Sequence, residues 1–349
     1  MFWLYTGFLT LVLGLLALDL GVLNRKAHVI GVREAMLWSS LWMSLALLFT
    51  IFVYQAYDGQ WFGLGLAVDP VDHVRNDGTG AALKYLTGYL IELSLSVDNL
   101  FVMAVVFTSF RVPAIYQHRV LFWGILGALI MRGTMIAAGA LLIARFHWIL
   151  YLFGAFLIYT AWKMLRFEHK SPDPEHNAVV RFARRFLPVT SRFHGEHFFV
   201  VAGASADHDG DAALAAARPG TLMMTPMFLA LLVVETCDVV FAVDSVPAIF
   251  SITADPFLVF TSNVFAILGL RSLFFALAGM LDRFHLLEVS LAIVLALVGV
   301  KMLAADWLEH AFGEQYNFYV LAVVVLILVA GVVASLVFPA PADDETAKH

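Results

Sequence analysis

The sequence predicts an all-α polytopic membrane protein with about nine transmembrane helices, on three observations. Hydrophobic residues make up 61% of the 349-residue chain and charged residues only 14%, against about 25% charged in an ordinary soluble domain. Apolar runs of about 20 residues, the length that crosses a hydrocarbon core about 30 Å thick, recur along the chain. Ionisable residues stand inside several of these runs, and their order repeats.

The first run, 2–23, lacks a basic leading segment, carries Asp19 and enters Asn24-Arg25-Lys26 without a small-residue cleavage site. It reads as a retained helix, not a secretory signal. The further runs are 36–57, 82–109, 120–143, 147–166, 224–250, 257–280, 285–304 and 318–338. They are far longer than barrel strands, and lipid offers no water to unpaired backbone groups, so each is expected to be a helix. The chain then divides into spans one to five over 1–166, a cytoplasmic loop at 167–223, spans six to nine over 224–338 and a cytoplasmic tail at 339–349.

Orientation follows from Lys and Arg in the short loops. Arg25, Lys26 and Arg33 precede the second span, Arg111 and Arg119 follow the third, and Arg283 follows the seventh. In the alternate loops Arg75 stands among Asp58, Asp69, Asp72 and Asp77, Arg145 is isolated, and 305–317 offers Asp306, Glu309 and Glu314. The N-terminus is expected outside and the C-terminus inside. Within the cytoplasmic loop, Arg181-Phe182-Ala183-Arg184-Arg185-Phe186 suggests a basic amphipathic element at the membrane surface. A solvated charged connector fits the same residues. Asp207-His208-Asp209-Gly210-Asp211 lacks the EF-hand spacing and its closing Glu. The acidic tail Asp343-Asp344-Glu345 reads as a disordered end. The single cysteine, Cys237, allows no intrachain disulfide. Nothing suggests nucleic-acid binding, and the oligomeric state stays open.

The third span has Glu92, then Asp98-Asn99 six residues on; the sixth has Asp238, then Asp244-Ser245. One span later each half has a single arginine, Arg132 and Arg271, and one span further each reads Lys-Met-Leu, at 163–165 and 301–303. Spans three to five and six to eight therefore read as a duplicated unit. An odd number of spans per unit inverts the second copy, the common plan of secondary transporters with a substrate site near the midplane.

Six acids lie well inside spans, Asp19, Glu92, Asp98, Glu235, Asp238 and Asp244, against the bases Arg132 and Arg271. A charged group at mid-bilayer costs at least about 2.5 kcal/mol, so the surplus calls for bound cations, protons or a wet cavity. Lys163 and Lys301 lie near span ends and are expected to snorkel to the interface. The arginines are expected to balance charge and the acids to carry function. Carboxylate, amide and hydroxyl oxygens from Glu92, Asp98, Asn99, Asp238, Asp244 and Ser245 suit a hard divalent cation. Six residues on a regular helix separate two side chains by about 120°, so Glu92 and Asp98 face different partners unless the helix breaks. A break is expected at Pro247, whose ring frees the Val243 carbonyl as a further ligand.

Ser96–Val102 (SVDNLFV), Val234–Phe250 (VETCDVVFAVDSVPAIF) and Thr261–Phe275 (TSNVFAILGLRSLFF), with DLGVLNRKAH at 19–28, make the chain similar to the TerC/Alx family over nearly its whole length. The resemblance implies a bacterial inner-membrane protein linked to manganese export and to tellurium resistance. It places the family's acidic motifs on Glu92, Asp98, Asn99, Glu235, Asp238, Asp244 and Ser245. Cys237 stands where Thr or Ser is expected, and the stretch 204–219 is longer than usual. The expected function is export of Mn2+ as transported substrate, with H+ as the coupling ion, by a non-enzyme. A scaffold or metalation factor for other membrane proteins would need none of the buried acids. An intramembrane enzyme would need motifs such as Gly-x-Gly-Asp or His-Glu-x-x-His, which the chain lacks.

Overall fold

The structure, a computed structural model, describes residues 2–18, 31–146, 148–166, 178–203, 211–277, 285–304, 307 and 316–337; within these ranges the side chains of Val97, Asp98, Phe101 and Asp244, and those at 2, 18, 178, 277, 285–288, 316–318 and 336, lie outside the described set. Each of the nine apolar runs overlies a helix among the described residues. These are α1 (Phe2–Leu18), α2 (Val32–Asp58), α3 (Gly78–Ser109), α4 (Ala114–Arg145), α5 (Ile149–Arg166), α8 (Pro226–Phe250), α9 (Pro256–Leu277), α10 (His285–Leu303) and α11 (Tyr316–Val337). By length and composition α2, α4, α5, α8 and α9 can cross a membrane, and shorter apolar helices run over Trp3–Ala17, Val289–Leu303 and Tyr319–Ser335. The chain is an all-α polytopic membrane protein.

Helix ends fall where local chemistry puts them, not where hydropathy falls off. α3 starts four residues before its apolar run because Asp77 caps it, its side chain accepting from Gly80 N at 2.6 Å. α4 starts at Ala114, six residues before its run, directly after Pro113. α8 begins with Pro226 at its first position, where a missing N–H costs nothing. It stays helical through Pro247 to Phe250, which corrects the expected break. The proline withholds one N–H from the Val243 carbonyl, but the helix closes beyond it, the Ser251 N–H donating to the Pro247 carbonyl at 3.1 Å.

Between α5 and α8 the chain builds a small cap: α6 (Ala178–Phe186), β1 (Phe199–Val201), α7 (Ala212–Ala216) and β2 (Leu222–Met224). The strands pair antiparallel with Phe199 opposite Met224. Asp211 holds this region together, accepting from the backbone N–H groups of Ser191, Arg192, Ala213 and Leu214 and contacting His194 Nε2 at 3.0 Å. Burial raises its pKa, but His194 and the N–H donors outweigh that and bring the carboxyl down to about 2. α6 buries Val180 and Ala183 against the bundle, packing on α8, and exposes Phe182, Phe186, Arg181, Arg184 and Arg185. The expected amphipathic helix is present. The other predicted features at Asp19, at 19–28, at Asp207–Gly210 and in the tail lie outside the described residues.

In the bundle α3 packs on α9, α8 and α2; α4 packs on α8 and α9; α5 packs on α10, and α10 on α11. Lipid supplies no hydrophobic drive between helices, so close backbone approach through small residues matters. Gly154 of α5 faces Gly299 of α10, and a Cβ on Gly299 would stand 2.8 Å from the Gly154 carbonyl. α9 is wrapped by rings: Phe257 and Phe260 meet Tyr5 and Phe8 of α1, and Phe265 meets Phe49 of α2 and Tyr85 of α3. This packing leaves α3, α4 and α8 to meet at the centre, each contributing polar side chains from its middle third.

Candidate functional site

Arg132 of α4 is the hub of that centre, only 1% exposed. Its guanidinium forks onto Asp238 of α8, Nη2 donating to Oδ1 at 3.0 Å and Nε to Oδ2 at 3.3 Å. Nη1 donates to Ser245 Oγ at 3.3 Å and makes an ion pair with Glu92 Oε1 of α3. Glu92 is fully buried, Asp238 and Ser245 nearly so. Among the described residues Arg132 is the partner that meets the Glu92 carboxylate. A rigid five-donor guanidinium can bridge two carboxylates in this way; an ammonium would not hold the fork.

Glu235 sits one turn before Asp238, hence on the same side of α8, and its half-buried carboxylate lies against Gly127 of α4, where an added Cβ would collide with it. Two carboxylates thus share one guanidinium, with a third acid a turn away. Asn99 is buried in α3 with its Oδ1 unpaired among the described residues. Arg271 is buried in α9. The site residues read from sequence therefore separate. Glu92, Asp238, Ser245 and Arg132 come together, Glu235 and Asn99 lie beside them in the same helices, and Asp19 and the side chains of Asp98 and Asp244 lie outside the described residues. Among the described residues no group of three or more His, Cys, Asp or Glu forms a ready metal cage. Glu92 and Asp238 are held by Arg132, the base expected to balance their charge.

A second polar cluster lies at the end of the bundle that carries the 59–77 segment. Lys84 of α3 reaches Asp69 Oδ2 at 2.9 Å, Asp72 Oδ2 at 2.7 Å and Asn76 Oδ1 at 2.6 Å. Asp69 also accepts from Thr253 Oγ1, from Ala254 N at 3.0 Å and from Val71 N at 3.0 Å, which ties the segment to the turn between α8 and α9. Burial raises the Asp69 pKa, yet the Lys84 ammonium and the Thr253 and Ala254 donors together hold it below the usual carboxylate range. Gly65 shapes the segment: its φ is +73°, and a Cβ would stand 2.5 Å from the Asn76 carbonyl. Lys301 of α10, expected to snorkel, is 2% exposed and donates to the Ser251 carbonyl at 3.0 Å. Lys163 is exposed, as expected. Snorkelling fails for Lys301 because the α8–α9 turn closes over it and supplies an acceptor. The sequence signal for this cluster is Lys84, a cation inside an apolar run, preceded by Asp69-x-x-Asp72.

The model of the integral membrane protein TerC family matches residues 77–342, which contain the whole central site. An uncharacterized membrane protein of Myxococcus xanthus is 47% identical over 334 residues, covering 96% of this chain and 92% of its own. A protein of Escherichia coli K12 named Alx, a membrane-bound redox modulator by that name, is 43% identical over 305 residues, covering 87% and 86%. An uncharacterized membrane protein of Rickettsia bellii is 36% identical over 330 residues, covering 95% and 96%. No solved structure matches the chain.

Proposed function

Because the chain belongs to the TerC family of integral membrane proteins, we propose that it exports a divalent cation, Mn2+ in the first instance, by alternating access around the central carboxylates. The observation that carries this reading is Arg132, buried between carboxylates of α3 and α8. A buried guanidinium shared by two acids leaves negative charge in excess, and a divalent cation answers that excess better than a second fixed base would.

The arginine is then the ion's competitor. When the cation enters, Glu92 exchanges Arg132 for the metal, while the bidentate pair with Asp238 keeps the guanidinium in place. When the cation leaves, Arg132 recaptures Glu92 and the centre returns to the arrangement described. The helices holding these residues belong to the two halves of the inverted repeat, and the reciprocal packing of α3 on α9 and of α4 on α8 supports that relation. Asp98 and Asp244 complete the carboxylate set in this reading, and Glu235, a turn from Asp238, serves as proton carrier for coupling to H+. In the cell the 59–77 end faces outward in the inner membrane, with both the α6 cap and the C-terminus cytoplasmic.

The name borne by the Escherichia coli relative suggests a redox role. A chain with one cysteine cannot cycle a dithiol within itself, so we attribute any redox effect to the metal it moves. The test is cellular manganese at matched membrane levels of each variant. Glu92→Gln, Asp98→Asn and Asp244→Asn should each abolish efflux while the protein still inserts. Wild-type efflux in all three would reject the reading.

A further inference from the structure

We propose that Ser96 and Asn99 of α3 line the cytoplasmic approach to Glu92, a wet track along which the divalent cation passes one oxygen at a time, an inference that rests on the transporter reading above. Ser96 is fully buried and Asn99 is 3% exposed. Neither Ser96 Oγ nor Asn99 Oδ1 has a hydrogen-bond partner among the described residues. The serine had a partner at hand. Thr87, Ser94 and Thr108 of the same helix each donate to the carbonyl four residues back, the local bond open to any helical hydroxyl, and Ser96 does not. Buried polar groups are as a rule paired, with protein or with water. A hydroxyl and an amide oxygen that find no protein partner in a lipid-embedded bundle point to a mobile one, water or a cation.

Helix geometry gives the track its direction. Seen down α3, Ser96 lies about 40° to one side of Glu92 and Asn99 about 20° to the other, and they stand about 6 Å and 10.5 Å further along the helix, toward its cytoplasmic end. They share a face with Glu92 but are too far apart to hold one ion together, so the cation meets them in turn. That face looks at α8. A Cβ on Gly88 would stand 3.6 Å from Ile249 Cγ2, and Arg132 Nη1 meets both Glu92 and Ser245. Moving from the first contact to the second goes forward on α3 and backward on α8 by the same step, so the two helices run antiparallel. Three turns of helix take about eleven residues, which carries the Gly88–Ile249 register on to Asn99 and Asp238. The polar layer therefore has an outer rung, Glu92 with Ser245, and a cytoplasmic rung, Asn99 with Asp238, with Ser96 between them. Beyond it the same face of α3 reaches Val106, 1% exposed, so an apolar layer closes the approach and the ion loads when that layer parts.

Neutral oxygens suit this duty. A small hard cation sheds its water reluctantly, and a hydroxyl or amide oxygen can replace one water at a time without adding a charge that would hold the ion fast. Asp238 supplies the attraction at the cytoplasmic rung and Glu92 at the next.

The experiment uses the full-length protein with its single cysteine removed, Cys237→Ser, in inside-out membrane vesicles that present the cytoplasmic face. Ser96→Cys, Asn99→Cys and, as control, Leu100→Cys are introduced one at a time and labelled with a cationic, membrane-impermeant methanethiosulfonate. A thiol reacts as its thiolate, which forms in water and not in a packed apolar core. Ser96→Cys and Asn99→Cys should label about tenfold faster than the control, whose site is fully buried among apolar neighbours, and Mn2+ should slow both. Where wild-type vesicles take up Mn2+, either residue labelling no faster than the control overturns this inference and leaves the transporter reading standing. Fast labelling that Mn2+ does not slow shows a crevice that no cation enters and overturns it as well. If wild-type vesicles take up no Mn2+, the transporter reading falls and this inference with it. Should Asn99→Cys fail to fold, Ser96→Cys decides, since it only exchanges an oxygen for a sulfur.

Discussion

Asp69→Asn should unlatch the 59–77 segment, and the size of the effect follows from what the carboxylate holds. Its Oδ2 takes the Lys84 ammonium at 2.9 Å and the Thr253 hydroxyl; its Oδ1 takes two backbone N–H groups, each at 3.0 Å. An asparagine can keep Oδ1 for the N–H groups, but it then turns an NH2 toward an ammonium and loses the Lys84 bond, although the Thr253 hydroxyl can turn to accept from it. Charge-assisted bonds contribute about 1.5–3 kcal/mol each. Breaking one partner of a buried ion pair costs about 3–5 kcal/mol. Lys84 retains Asp72 at 2.7 Å and Asn76 at 2.6 Å, so the low end applies, about 3 kcal/mol. The assay is thermal unfolding at one fixed scan rate, since multi-span proteins unfold irreversibly, with Asp77→Asn as the control because Asn caps a helix as well as Asp does.

The same carboxylate sets a pH dependence. Its folded pKa is depressed, so its contribution to stability is present above the unfolded value of about 3.9 and lost as pH falls below that toward the folded value. The wild type should lose stability in that acid window, and Asp69→Asn should show less of the loss. An Asp69→Asn protein as stable as Asp77→Asn, with the wild-type acid profile, would refute the latch.

Arg132→Ala should lower both folded yield and transport, since it leaves Glu92 and Asp238 buried without their base, a loss of about 3–5 kcal/mol; gel filtration of the solubilised protein reads the yield, and normal yield with normal efflux removes the hub role. Gly127→Ala should cost little folded yield, because its methyl meets only the movable end of the Glu235 side chain, and should instead displace that carboxylate and lower efflux; normal efflux at normal yield would remove Glu235 from the site. Changing Arg181, Arg184 and Arg185 together to Gln should speed amide exchange over 178–186 in nanodiscs of phosphatidylglycerol but not of phosphatidylcholine, because three exposed arginines beside Phe182 and Phe186 suit an anionic interface. Equal exchange in both lipids would make α6 a solvated connector.

The helices were legible in the sequence because apolar length adds up residue by residue and each run needs nothing from the rest of the chain. Their ends were not, since Asp77 and Pro113 act through local backbone chemistry that hydropathy does not register. Glu92, Asp238, Ser245 and Arg132 were legible as a group because charges stand out in lipid and recur in order. So was the charge-balancing role of Arg132; what spacing could not give was which acids it meets, since on α4 it reaches residues 106 and 113 positions away on α8. The Lys84 cluster was legible only in part. Its lysine breaks an apolar run, but its closing contact joins Asp69 to Thr253, 184 residues apart, and only the fold brings them together. Pro247 misled because a proline removes one N–H from the turn before it without obliging the helix to end, and here the helix runs on to Phe250.

Charge balance then distinguishes the two polar clusters. At the 59–77 end Lys84 and Lys301 stand against Asp69 and Asp72, and burial pushes the carboxyl of the neighbouring Asp255 up, toward its neutral form. That cluster is close to neutral and its ionic groups are satisfied by one another and by backbone, so a cation gains nothing by entering it. At the centre, among the described residues, Arg132 is the base that meets Glu92 and Asp238, with Glu235 a turn away. On the transporter reading, a cation entering there would relieve an over-shared guanidinium. On the same reading, the cluster at the 59–77 end would close one mouth of the bundle and the central one would bind the ion. Weakening the closure should therefore raise leak without changing ion preference, whereas changing the centre should alter preference. A variant at Asp69 that switched the preferred metal would show that the division is drawn in the wrong place.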